Sequence, residues 1–235
     1  MAAERDPNLA LLEEAAALLG PLLDELMLVG GCAAGLLVTD PGASPIRPTE
    51  DVDLVVEAAT YADFHRFGER LIALGFRQGT ALDDPLCRFR HPRLVLDLMP
   101  LDEGVLGFSN RWYASALRSP IVRGLPSGAA IAHVDAPHFL ATKLEAFGSR
   151  GKGDYLTSPD LEDAVVVIDG RPSVKEELAS APRVLRQFVR EEIAACLRSR
   201  YFVEALPGYF AAEPNAGERA GRLLERLQEI AGESA

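Results

Sequence analysis

The spacing of apolar positions changes along the chain, and the predicted elements follow those changes. Residues 8–19 are apolar at helical spacing and stop at Gly20-Pro21, which predicts an amphipathic helix. Met27–Val29 is a short apolar strand. The pair Gly30-Gly31 then makes a tight turn into a helix over residues 32–38. From Thr39 to Pro48 the composition shifts to Asp, Pro, Gly and Ser, a loop, and Val52–Glu57 resumes as a strand. Over Tyr61–Leu74, Phe64, Phe67, Leu71 and Leu74 recur at helical spacing, and Gly75 ends the helix. Three further strands follow at Phe76–Gly79, Leu86–His91 and Arg93–Met99, the last two joined by a tight turn at Pro92. Because strand side chains alternate, Leu94, Leu96 and Leu98 share one face, and Arg93, Val95, Asp97 and Met99 the other.

A short helix near Arg111–Arg118 and strands at Ile121–Leu125 and Ala130–Val134 complete this half. Beyond His133 the pattern is helical: Pro137–Ser149, Asp160–Ile168, Ser173–Ala179, Pro182–Arg200 and Ala216–Ile230. The expected class is α+β, with a β-rich domain over residues 1–135 and a helical domain over 136–235.

Composition narrows the setting. Of 235 residues, 48% are hydrophobic and 25% charged, which is ordinary for a globular chain. No apolar run reaches the roughly 18 residues that a membrane helix needs. The start, MAAERDPN, has neither the basic opening nor the apolar core of a signal peptide. The three cysteines, Cys32, Cys87 and Cys196, are widely spaced in apolar contexts, which points to reduced thiols in a core and a cytoplasmic location. None of the four histidines has a partner at metal-binding spacing, so core, surface or turn roles are expected for them.

The net charge of −11 disfavours non-specific nucleic-acid binding, so an RNA partner would need a local basic patch. One candidate exists. Between residues 183 and 200 five arginines stand against Glu191 and Glu192, and Arg183, Arg186 and Arg190 fall on one helical face. Such a stripe either guides an anionic acceptor or is a solvated face paired with neighbouring acids.

The chemistry concentrates between Leu28 and Glu57. Asp51 and Asp53 project from one side of a strand while Val52 and Leu54 enter the core. Two such carboxylates repel unless a cation sits with them, and Mg²⁺, which takes oxygen ligands and is often shared with phosphates, is the leading candidate. The alternative is a solvated strand end. The glycine pair ahead of them opens a helix whose free N–H groups suit a triphosphate. Asp97 is a third acid on a later strand. Together these are the parts of metal-dependent phosphoryl transfer, in which one carboxylate takes the proton of the incoming hydroxyl.

The ordered segments G-G-C-A, R-P-T-E-D-V-D-L and A-T-K-L-E-A-F-G-S-R-G-K-G-D, the last followed by S-P-D-L-E-D, resemble the nucleotidyltransferase superfamily that includes DNA polymerase β. Within it they resemble the AbiEii-type enzymes, the toxins of type IV toxin–antitoxin systems. The glycine turn and the R-x-T-x-D-x-D pattern of that family fall on Gly30, Gly31, Arg47, Thr49, Asp51 and Asp53. The resemblance further implies a nucleotide-contacting lysine at Lys143 and a downstream acid at Asp163. It implies a mixed sheet with flanking helices, a helical domain closing over the nucleotide, Mg²⁺, an NTP donor, and a tRNA 3′ end or protein hydroxyl as acceptor, with an antitoxin as possible partner. A small-molecule (antibiotic) nucleotidyltransferase and an inactive binding protein of the same fold are the rival readings. One departure stands out: where many members carry a serine after the glycine, this chain has Gly31 and then Cys32.

Outside the motif the alternatives stay open. Lys143 is a nucleotide contact or a solvated side chain. Arg150 and Lys152 close over phosphates or are plain loop charges. Asp160 reads as a helix N-cap, and Asp163 contacts base or ribose or favours the helix dipole.

Overall fold

The computed structural model describes residues 6–79, 84–151 and 153–232. The chain forms two compact units, residues up to Leu36 with Ile46–Asp135, and Leu37–Pro45 with Ala136 onward.

The first unit opens with α1 (Leu9–Leu19), a 3-10 stretch (Gly20–Glu25), β1 (Leu26–Leu28) and α2 (Gly30–Leu37). It continues through β2 (Asp51–Val56), α3 (Tyr61–Ala73), β3 (Arg77–Gln78), β4 (Arg88–His91) and β5 (Leu94–Pro100). Two four-residue helices follow, α4 (Glu103–Leu106) and α5 (Tyr113–Ala116), and then β6 (Ile121–Gly124) and β7 (Ala130–His133). The strands make one seven-stranded sheet in the order β3-β4-β5-β2-β1-β7-β6. It is mixed: β2 runs parallel to β5 and β1 parallel to β7, while the remaining neighbours are antiparallel.

Burial explains the arrangement. All three residues of β1 are buried, as a short interior strand flanked on both edges should be. Leu94, Leu96 and Leu98 of β5 are buried as expected from their alternation, and so is Asp97 on the opposite face. α3 turns Phe64, Phe67 and Leu71 inward and is capped by the Thr60 hydroxyl, which accepts from the Asp63 N–H at 3.1 Å. Leu74, expected on that buried face, lies beyond the last helical turn and is 39% exposed. α4 was not expected: four residues are too few to show a period, and it is defined by its ends, the Asp102 side chain accepting from Gly104 and Gly107 in the left-handed region.

The second unit contains α6 (Ala136–Ala146) with a π-helical turn (Phe147–Gly151), α7 (Pro159–Gly170), α8 (Val174–Ser180) and α9 (Arg183–Leu197). It ends with α10 (Arg200–Ala205), a 3-10 turn (Leu206–Phe210) and α11 (Ala216–Ala231). The single helix expected over Pro182–Arg200 stops at Leu197, and Ser199 starts α10 from the cap position. The core is built from nearly all of α6 and α7, with Leu185, Val189, Ile193 and Cys196 of α9 and Leu223, Leu227 and Ile230 of α11.

Residues 37–45 are tied into this unit through polar contacts. Thr39 and Asp40 both donate backbone N–H groups to Gly170 O at 2.9 Å. Buried Arg219 donates to Gly42 O, to Glu213 and to Asp169. Its donors, which would be costly to bury unsatisfied, are thereby used to fasten the segment to α7 and α11.

Candidate active site

The register of three neighbouring strands sets the centre of the site. Asp53 of β2 stands opposite Asp97 of β5, and Asp97 stands opposite Arg88 of β4. Asp53, Asp97 and Arg88 therefore form one row across the sheet, and Asp51 lies two residues before Asp53 on the same face. Arg88 Nε donates to Asp97 Oδ1 at 2.8 Å, and its Nη2 donates to Asp97 Oδ2 and Asp51 Oδ2, both at 2.7 Å. One guanidinium thus grips two of the three candidate carboxylates. Burial raises the Asp51 carboxyl above the ordinary carboxylate range, repulsion from Asp97 adds to the effect, and the Arg88 charge opposes it.

Arg88 was not among the residues singled out from the sequence, yet a signal for it exists. Counting outward from the Pro92 turn, His91 faces Leu94 and Arg88 faces Asp97. A tight hairpin fixes that register once the turn is recognised.

The glycine turn is bound to the same row. Gly30 opens α2 with φ +65°, and a Cβ built there would lie 1.8 Å from Asp53 Oδ2. Only glycine lets the backbone come this close to the carboxylate. The backbone closes the contact, since Val29 N–H donates to Asp53 O at 3.0 Å.

Cys32, which follows Gly31 after the glycine turn, points toward the entry of β2. Its Sγ lies 3.1 Å from Thr49 Oγ1 and 3.4 Å from Asp51 O, and the Thr49 hydroxyl donates to the same Asp51 carbonyl at 3.1 Å. The side chain is fully buried, and burial pushes its thiol up to about 12, so it is a neutral packing group.

A second clamp comes from Asn8, which is 1% exposed at the start of α1. Its amide donates to Arg47 O at 3.0 Å and accepts from Thr49 N–H at 2.8 Å, so it pins both sides of Pro48. Arg47 Nη1 folds back on Pro48 O at 3.3 Å. Asn8 also escaped the sequence reading, which counted it as the first residue of the helix over residues 8–19. Its side chain makes no capping bond.

The other motif residues lie in the second unit. Lys143 is buried there, with Nζ 2.7 Å from Asp163 Oδ2 and 3.4 Å from Asp160 Oδ1. Arg150 donates through Nε and Nη2 to Asp160 at 2.7 and 2.8 Å. Asp160 is not the N-cap of α7. Ser158 holds that position, and Asp160 sits inside the first turn, buried and paired with both cations. Burial pushes its carboxyl up, but the Arg150 hydrogen bonds and the Lys143 charge prevail and hold it below the usual range. Lys152 lies outside the described residues.

On the basic stripe, Arg186 donates to Ala179 O near the end of α8 and Arg190 to Ala231 O at the end of α11. Both therefore cap helix C-termini. His133 Nδ1 lies 2.8 Å from Val134 O, and His91 accepts from Arg93 N–H at 3.3 Å, local roles of the kind expected.

The donors at the carboxylate row suit Mg²⁺ in kind: hard oxygens, on strands whose neighbours stand about 4.8 Å apart. They suit it in charge as well, since three carboxylates outnumber the guanidiniums of Arg88 and Arg47 that act on them. They are aligned rather than converged, and among the described residues no group of three or more His, Cys, Asp or Glu side chains is gathered tightly enough to hold a metal ion. No family model matches the chain, and no curated protein matches it.

Two predictions follow from this geometry. Asn8→Ala removes two part-buried hydrogen bonds, to the Arg47 carbonyl and from the Thr49 N–H, so it should lower unfolding stability by about 1–3 kcal/mol in a denaturant titration. Lys143→Met removes one partner of a buried pair and should cost about 3–5 kcal/mol at neutral pH. Because the Asp160 carboxyl is held below its unfolded value of about 3.9, its contribution is complete above that pH and is lost as pH falls through the folded value. The deficit of Lys143→Met, measured by thermal unfolding, should therefore shrink below about pH 4.

Proposed function

We propose that the first unit carries the catalytic residues of a Mg²⁺-dependent nucleotidyltransferase, one that uses an NTP to modify a macromolecular hydroxyl, at an RNA 3′ end or on a protein. The observation that supports this most is the row Asp53–Asp97 with Asp51 beside it, abutting a glycine turn that opens a helix. Asp51, Asp53 and Asp97 would hold the metal, which when bound neutralises phosphoryl oxygens and lowers the pKa of a coordinated hydroxyl.

The protein's own groups have separable tasks. Asp97, deepest of the three, accepts the proton of the attacking hydroxyl. That oxygen bonds to the α-phosphorus as the bond to the β-phosphate oxygen breaks, and pyrophosphate leaves. Backbone N–H groups at Gly30 and Gly31 orient the phosphates. Thr49, Cys32 and Asn8 hold the backbone that aims Asp51. Growth arrest on expression, relieved by a neighbouring antitoxin, is the biological role that fits a macromolecular acceptor; drug resistance on expression would instead fit a small-molecule acceptor.

One observation favours a second reading, a binding protein without catalysis: the Arg88 guanidinium occupies the oxygens that a metal would take. Incubation with each α-labelled NTP, Mg²⁺ and total RNA or protein separates the two. Label should pass to an acceptor, and Asp51→Asn should cut transfer at least about a hundredfold, given that the metal contributes several kcal/mol. Absence of transfer to any acceptor, with no NTP-dependent thermal shift, contradicts the enzyme and favours the binding protein.

A further inference from the structure

We propose that Arg88 is a displaceable internal counter-ion: it holds Asp51 and Asp97 together while no divalent cation is present, and yields those oxygens when one binds. This rests on the reading of Asp51, Asp53 and Asp97 as metal ligands.

The geometry favours competition over cooperation. Both oxygens of Asp97 and one of Asp51 accept from the guanidinium at 2.7–2.8 Å, in a bidentate, charge-assisted grip. Mg²⁺ needs carboxylate oxygens at about 2.0–2.1 Å in near-octahedral array. A planar fork lying against the same oxygens keeps those of Asp51 and Asp97 aimed at nitrogen.

Charge gives the same sign. Three carboxylates outnumber the Arg88 guanidinium and the more distant charge of Arg47, so the surplus is negative and attracts a divalent ion, whereas the positive fork itself repels it. Removing Arg88 frees the oxygens and deepens the negative potential in one step.

Displacement is also physically open. The Arg88 backbone is fixed opposite Asp97 by the ladder, so only the side chain has to move. That side chain is 23% exposed, against 8% for Asp97, so it has a route to solvent that the carboxylate lacks. Arg90, two residues on, pairs instead with Asp84 and does not share the task. A permanent structural tether would behave oppositely, since its loss would splay the carboxylates and weaken metal binding.

Mn²⁺ serves as the probe, with free ion counted by electron paramagnetic resonance in titrations of the full chain. Arg88→Gln should bind at least about tenfold more tightly than the wild type, the equivalent of one charge-assisted hydrogen bond released. Arg88→Lys, which keeps the charge and loses the fork, should fall between. Without metal Arg88→Gln should melt below the wild type, and saturating Mn²⁺ should raise its midpoint by more. Equal or weaker binding by Arg88→Gln overturns the proposal. If that variant does not fold without metal, Arg88→Lys decides, and binding no tighter than wild type overturns it. Binding by neither wild type nor Arg88→Gln above the level of Asp51→Asn/Asp53→Asn refutes the metal site itself.

Discussion

Three carboxylates stand together on two adjacent strands, and Arg88 supplies the positive charge that makes this tolerable in a partly buried place. Without that charge, Asp51 and Asp97 would repel each other across neighbouring strands. Much of the first unit's local detail serves this balance. The parallel register of β2 and β5 aligns Asp53 with Asp97, and the antiparallel hairpin of β4 and β5 brings in the arginine. Gly30 gives Asp53 room, while Asn8, Thr49 and Cys32 hold the chain that enters β2. A structural ion pair would not need two neighbouring acids and a glycine turn around it. The surplus of negative charge is what turns the arrangement into a candidate cation site.

The second unit handles buried charge in another way. Lys143 and Arg150 against Asp160 and Asp163 balance in number, two cations to two anions. Arg219 lies between two acids, Asp169 and Glu213, and pairs with both. Removing one partner from such a set is costly because the other is left buried. Two of the arginines in the basic stretch of α9 are committed to helix ends as well. In these clusters, charge is arranged to hold helices and the segment 37–45 in place.

Periodic features were the legible part of the sequence. The alternation in β5, the helical spacing in α3 and the glycine-to-helix turn follow from local geometry, and the mixed α+β sheet architecture agrees with that reading. Features set by partners distant in sequence were harder to see. Asn8 is fixed by contacts to Arg47 and Thr49, and Asp160 is drawn from a capping role by Arg150 and Lys143. Short elements defined only by their ends, such as α4 and the break before α10, carry no period to read. Arg88 lay between these cases, readable from the Pro92 hairpin by counting register, but unmarked by any motif.

The central proposal is a divalent-cation site at Asp51, Asp53 and Asp97 that Arg88 guards. Anomalous diffraction at the manganese edge, from crystals soaked in Mn²⁺ with a non-hydrolysable NTP, addresses that claim directly. The expected result is a peak bounded by the three carboxylates, with the Arg88 side chain withdrawn from Asp51 and Asp97. A map with no peak at the row, and Arg88 still bridging both acids, would contradict it.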